Sequence, residues 1–250
     1  MLDDSKDKNR ETSYASHDAD DSHSSVDKEG IYNRSSNSSS LIHSVKERAR
    51  KLFDDARGSH AWDHTLRVFR LCEHIGTVEG ADMKVLLSAA YLHDIGRCYQ
   101  DASNGAVCHA EKGTEIAWPI LRELPLTESQ KQNIIHCIKS HRFRGNNMPA
   151  TSEAKVLFDA DKIDSIGAVG VARAFLFAGE VGARLHSPGV NAEETESYSI
   201  DDTGYREFKV KLSRIKDRIL TDEGKRLANE RHDYMADFFK RFLEEYEGER

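Results

Sequence analysis

From Ile42 onward, apolar and polar positions follow one another with the period of a helix. Ile42, Val45, Ala49, Leu52 and Phe53 recur at three- and four-residue steps before Gly58, which predicts an amphipathic helix with one buried face. The next segment, SHAWDHTLRVFRLCEHIG, carries two apolar stripes: Trp62, Leu66 and Phe69 on one side, Val68, Leu71 and Ile75 on the other. A helix apolar on two sides is expected at the centre of a fold. His64 lies one turn before Val68, so it heads the second stripe and is expected to point inward.

ADMKVLLSAAYLHDIG predicts a third helix, with Asp82 as its N-cap and Gly96 as its stop. HAEKGTEIAWPILREL predicts a fourth, distorted near Pro119. TESQKQNIIHCIKSHRF opens on a T-x-x-Q capping box at Thr127 and Gln130 and should stay helical to about His141. SEAKVLFDADKIDSIGAVGVARAFLFAG reads as two helices around Gly167, with a short strand at its start as the alternative. Residues 179–204 form a long polar loop, and loops of that length are usually functional or mobile, so a lid is expected there. Two helical segments close the chain within 205–246, one up to Leu220 and one from about Asp222, the latter with an apolar face of Leu227, Tyr234, Phe238 and Phe242. No repeat and no succession of strands interrupts this pattern, which predicts an all-α bundle over residues 41–250.

Residues 1–40 break the periodicity. They are rich in Ser, Asp, Lys and Asn and carry too few large apolar groups to offset the entropy of ordering, which predicts a disordered tail in which His17 and His23 are solvated. With 250 residues, 38% hydrophobic and 32% charged, the composition is that of a soluble chain able to bury a sizeable core. A net charge of -7 gives no electrostatic reason for general binding to nucleic acid or to an anionic membrane, and leaves room for a local basic pocket. The four cysteines form no CxxC pair, so they are expected to be reduced in a cytoplasmic protein. The first residues lack the apolar core of a signal peptide, and no run of about 18 apolar residues occurs, so neither export nor a membrane span is expected.

The chemistry concentrates where an apolar run ends in two polar groups, AAYLHDIGR at residues 89–97. Burying the ionised carboxylate of Asp94 is costly unless a cation pairs with it, and a metal ion is such a cation. Three predicted helices offer ligand types: His64 from the second, His93 and Asp94 from the third, and Asp161 from LFDADKID, one turn after Leu157. Imidazole and carboxylate donors suit iron, manganese or zinc better than a thiolate-seeking metal. Cys108 and Cys137 adjoin His109 and His136, but their spacing fits no structural zinc pattern. The DAD at 159–161 lacks the Gly-rich loop and parallel-sheet pattern of other magnesium-dependent phosphoryl enzymes.

The order His64, His93-Asp94, Asp161, with the flanks HTLRV, LHDIG and DADKIDSIGAVGVARAF, resembles the HD superfamily of metal-dependent phosphohydrolases over roughly residues 58–178. TDEGKRLANERHDYMADFF is similar to the closing helices of a small bacterial and archaeal branch. The resemblance implies an all-α HD-domain bundle that binds divalent metal (Mn, Fe, Mg, Ni, Co or Zn) on His64, His93, Asp94 and Asp161. Members with two metals add two histidines, which His109 and His141 match; His136 is a rival for the second, and one ion on four ligands or two on six remain alternatives. It further implies that Asp94 bridges the ions in the two-metal case and that a small phosphorylated compound is hydrolysed by metal-activated water. Arg97, directly after the HDIG turn, Lys162, directly after Asp161, and Arg67, near His64, are placed to supply positive charge to the phosphate. His60 reads equally as a residue behind the ligands or as surface. Two other readings are a di-iron oxygenase and a non-catalytic helical module that a metal stabilises.

Overall fold

The computed structural model describes residues 39–53, 62–103, 105–142 and 147–250. The tail expected at residues 1–40 lies outside the described residues except for its last two, and His17, His23 and His60 lie outside them as well. The described chain is all-α. Its elements are α1 (residues 39–50), α2 (Trp62–Val78), α3 (Met83–Leu92), α4 (Arg97–Ala102), α5 (His109–Arg122), α6 (Glu128–Ser140), α7 (Ser152–Ile163), α8 (Gly167–Glu180), α9 (Gly204–Val210), two single 3-10 turns (Leu212–Arg214 and Lys216–Arg218) and α10 (Asp222–Tyr246). No strand occurs among the described residues, so the strand alternative before Gly167 is not taken up.

The central helix is α3, and the expectation that α2 would be central is corrected. Every residue of α3 from Val85 to Leu92 is buried, because VLLSAAYL contains no charge and packs against α2, α6 and α7. On α2 the stripe of His64, Val68, Cys72 and Ile75 is buried, whereas Trp62, Leu66, Phe69 and Leu71 are only partly covered. That outer stripe is closed by rings: Tyr91 of α3 stacks on Phe69 at 4.4 Å and on Trp62 at 5.7 Å. In α1 the buried set is Leu41, Val45 and Ala49, followed by Phe53; Leu52 is exposed because the helix ends at residue 50 and the turn after it abandons the helical phase.

Caps place the helix starts. Asp82 accepts hydrogen bonds from the backbone N–H of Lys84 and Val85 at the start of α3, and Thr127 and Gln130 form the reciprocal capping box of α6. Pro119 sits inside α5 without ending it. Gly167 starts α8 with φ 77°, a left-handed conformation that glycine adopts without strain. Asp159 accepts from Leu220 N, Thr221 N and Thr221 Oγ1 and so ties α7 to the start of α10. On α10 Ala228, Met235 and Phe239 are buried and the expected Leu227, Phe238 and Phe242 pack partly buried against the core, whereas Tyr234 is 53% exposed. Residues 181–203 contain no helix, as expected for the long loop, and α9 follows it.

Candidate metal centre

The third helix stops earlier than its pattern suggests. It ends at Leu92, and His93 to Gly96 form a tight turn from which the short α4 departs. Gly96 is therefore not a helix stop but a point of close approach. A Cβ there would lie 2.3 Å from the carbonyl oxygen of His109, so only glycine lets the first turn of α5 rest on the turn carrying His93 and Asp94.

The candidate residues meet in the space this creates. His64, His93, Asp94, His109 and His141 are all buried, and two triads can be drawn among them: His64, His93 and Asp94, and Asp94, His109 and His141. Within each triad the donor atoms lie within 4.8 Å of one another, and Asp94 belongs to both. Its Oδ2 is 3.9 Å from His64 Nε2 and 4.0 Å from His93 Nε2; its Oδ1 is 3.1 Å from His109 Nε2 and 3.6 Å from His141 Nε2. Asp161, at the end of α7, completes the first group with Oδ1 3.4 Å from His64 Nε2. His136 is elsewhere: its Nε2 accepts the backbone N–H of Ala150 at 3.0 Å.

Each imidazole is oriented from behind. The Nδ1 atoms of His64, His93, His109 and His141 face Asp164 Oδ2, Ala90 O, Gln100 Oε1 and Ile138 O at 2.7–2.9 Å. These oxygens only accept, so Nδ1 carries a proton in each ring, and Nε2 is the atom turned inward to ligate. His64 and His93 then oppose their Nε2 atoms at 3.4 Å, and His109 and His141 at 3.0 Å. Asp94 Oδ1, fully buried, receives no hydrogen bond. Converging imidazole Nε2 atoms and an undonated buried carboxylate oxygen are what a cation between them would resolve. Donor spacings near 3 to 4 Å also match ligands each about 2.1 Å from a common ion. The residues therefore fit a divalent metal ion, and the donor set is nitrogen and oxygen only. The thiols stand apart: Cys137 is buried with its pKa pushed up by desolvation, and Cys108 lies 3.9 Å from Arg142 Nη1.

Electrostatics point the same way. Burial lowers the pKa of His93 to about 4 and that of His109 to about 4, which keeps both neutral and ready to ligate. Burial works against the charge of Asp94 and Asp161 too, but the imidazoles with Arg97 in one case, and Lys162 with His64 in the other, hold both carboxyls well below their usual range. His64 is raised to about 9: burial lowers it, and the hydrogen bonds to Asp161 and Asp164 outweigh burial.

The three cations singled out from sequence have different surroundings. Arg97 donates to Asp94 Oδ2 at 3.3 Å, while its buried Nε has no hydrogen-bond partner. Lys162 donates to Asp161 Oδ2 at 2.6 Å and rests over the ring of Phe158. Arg67 is engaged on both sides, donating to Asp164 Oδ1 and to Asp63 Oδ2 at 2.7 Å each. A cavity of about 360 Å³ opens beside the centre, lined by His64, Asp161 and Lys162 and by four residues sequence reasoning missed as a group: Arg173, Lys211, Arg214 and Arg218. The last three stand three and four residues apart in VKLSRIKDR, a one-sided spacing of cations that was legible in principle. Asp164 and Gln100, which orient His64 and His109, were missed as well.

An all-α fold with this ordered histidine and aspartate set defines a class. Residues 61–166 match the family model described as HD domain, so that part of the chain is an HD domain. It is 29% identical over 220 residues to YpgQ of Bacillus subtilis, an alignment covering 82% of this chain and 93% of that protein. The crystal structure of Bacillus subtilis YpgQ in complex with ADP matches with a TM-score of 0.66 at 28% identity, over 84% of this chain and 96% of that one. An HD-superfamily hydrolase from Bacillus thuringiensis matches with a TM-score of 0.67 at 25% identity, over 84% and 98% of the two chains. Among the described residues, no helix is long and apolar enough to cross a membrane.

Proposed function

We propose that this protein is a divalent-metal-dependent phosphohydrolase of a small phosphate ester, with nucleotides as the favoured class. The observation that carries the reading is the junction of two features: the paired triads sharing Asp94, and a cavity beside them whose wall holds Lys162, Arg173, Lys211, Arg214 and Arg218. Such an excess of cations on an otherwise acidic chain suits a phosphate. The ADP bound to the related YpgQ supports a nucleotide.

His64, His93, Asp94 and Asp161 would hold one ion, and Asp94, His109 and His141 a second. Ions held there supply Lewis acidity, polarising phosphoryl oxygens and making hydroxide available near neutral pH. Asp94 remains anionic between the two imidazole pairs and keeps them in register. Asp164 and Gln100 keep the protons of His64 and His109 on Nδ1, leaving Nε2 to ligate. Arg97, beside Asp94, would meet a phosphate oxygen held at the ions, and Lys162 can exchange its bond to Asp161 for one. Arg67 is assigned to holding Asp164 in place of the direct phosphate contact expected for it.

The test is an anaerobic assay of the manganese-loaded protein against nucleotides, cyclic nucleotides and sugar phosphates, with Asp94→Asn as the comparison. Hydrolysis by wild type, read as free phosphate from monoesters and as ring-opened nucleotide from the cyclic substrates, and its loss in a variant of unchanged helical circular dichroism are expected. Turnover that survives in Asp94→Asn, or oxygen consumption by iron-loaded protein without hydrolysis of any ester in the panel, overturns the reading.

A further inference from the structure

The geometry points to a second compartment for the organic part of the substrate, in which Tyr198 is the face on which a planar aromatic group stacks. This rests on the phosphohydrolase reading above. A cavity of about 400 Å³ adjoins the one beside the metal centre, and Ser165, Arg173, Val210 and Lys211 line both. The shared wall leads directly to the chemistry: Arg173 Nη1 donates to Asp164 Oδ2 at 2.7 Å, and that same oxygen lies 2.8 Å from His64 Nδ1. A phosphate seated among the cations of the first cavity would thus direct the rest of its ester past Arg173 and Lys211 into the second.

The lining changes character along that path. Phe177 and Tyr198 line only the second cavity, with their rings edge to face at 5.7 Å. Tyr198 is 75% exposed, so apart from its edge contact with Phe177 its ring is offered to solvent. Its backbone has φ 63°, the only positive φ of a non-glycine residue among those described. A bulky residue in the left-handed region is strained and persists only where its surroundings impose it. Here Asp202 Oδ2 accepts the Tyr198 N–H at 2.7 Å, and buried Asp202 is itself held by Arg206 Nη1 at 2.7 Å. The loop residue is pinned so that an exposed ring borders a cavity that shares four lining residues with the cationic one. Stacking on such a ring is sequence-tolerant and demands only a flat partner, as a nucleobase provides.

Calorimetric titration of the metal-loaded full chain with phosphonate analogues of AMP and of ribose phosphate, which differ by the base and are not consumed, tests this. Wild type should prefer the AMP analogue. Tyr198→Ala should weaken that analogue by roughly tenfold while binding the ribose analogue as before, and Tyr198→Phe should keep the preference. Equal binding of the two analogues by wild type, or a preference that survives in Tyr198→Ala, overturns the stacking role and leaves the phosphohydrolase reading standing. So does an equal loss of both analogues in Tyr198→Ala, which would mark the ring as structural. Wild type that binds neither analogue overturns the inference and the reading beneath it together.

Discussion

Asp164 collects hydrogen bonds from His64, Arg67 and Arg173 while its side chain is 1% exposed. Burial raises the pKa of such a carboxyl, yet these three partners bring it down from 3.8 to about 2. Because the folded-state value lies below the unfolded one, the carboxylate stabilises the fold fully above about pH 4 and loses that contribution as the pH falls toward about 2. Asp164→Asn is expected to cost about 2 kcal/mol at neutral pH, read by urea unfolding, with the gap to wild type narrowing on acidification. A gap independent of pH would remove the charge from this explanation. From sequence, Asp164 was visible only as the next carboxylate after Asp161, since its partner His64 is 100 residues away. Arg67 was read incompletely for a related reason. Adjacency to a ligand on one helix suggested a phosphate contact, whereas the carboxylate that claims it arrives from another helix.

Between elements, the turn of residues 93–96 and the first turn of α5 touch through backbone, with Gly96 as the point of contact. Gly96→Ala would drive a Cβ against the His109 carbonyl and the Gly113 amide, neither of which can rotate away. It is expected to cost about 1 to 3 kcal/mol, as overpacking does, and to weaken metal binding measured calorimetrically because His109 moves with its backbone. Gly179→Ala, inside α8 with nothing within 4 Å of the new Cβ, is the contrast and should be neutral or slightly stabilising in thermal unfolding. Near-equal effects of the two substitutions would rule out the close-approach account. The helix starts at Asp82 and Thr127 were legible because a cap is a contact between near neighbours in sequence. The end of α3 was not: Gly96 resembles a stop signal in one dimension, and its actual role depends on α5 lying against it.

For the whole molecule, metal bound at the centre is expected to add stability, since buried Asp94, partly buried Asp161 and four converging imidazoles face one another there. Chelation is expected to lower the melting temperature, by about 5 to 10 °C where free metal had stood a hundredfold above its Kd. His64 at about 9 is protonated at neutral pH when no ion is bound, so an ion must displace that proton and the stabilisation by metal should shrink as the pH falls from about 9. Calorimetric scans with and without chelator at two pH values measure both effects; a melting temperature indifferent to chelator would leave the centre without a metal. What the sequence by itself determined was the all-α class, the order of His64, His93, Asp94, His109, His141 and Asp161 along the chain, and most helix starts. Periodicity and capping are properties of residues within a few positions of one another, so one dimension suffices for them. Tertiary structure alone decided that α3 rather than α2 is central and that α10 buries Met235 and Phe239 rather than Tyr234. It also decided that His141 and not His136 turns inward, and that Arg173, Lys211, Arg214 and Arg218 line one cavity with His64. Each of these depends on which surfaces distant segments cover, and burial and charge are set by neighbours in space.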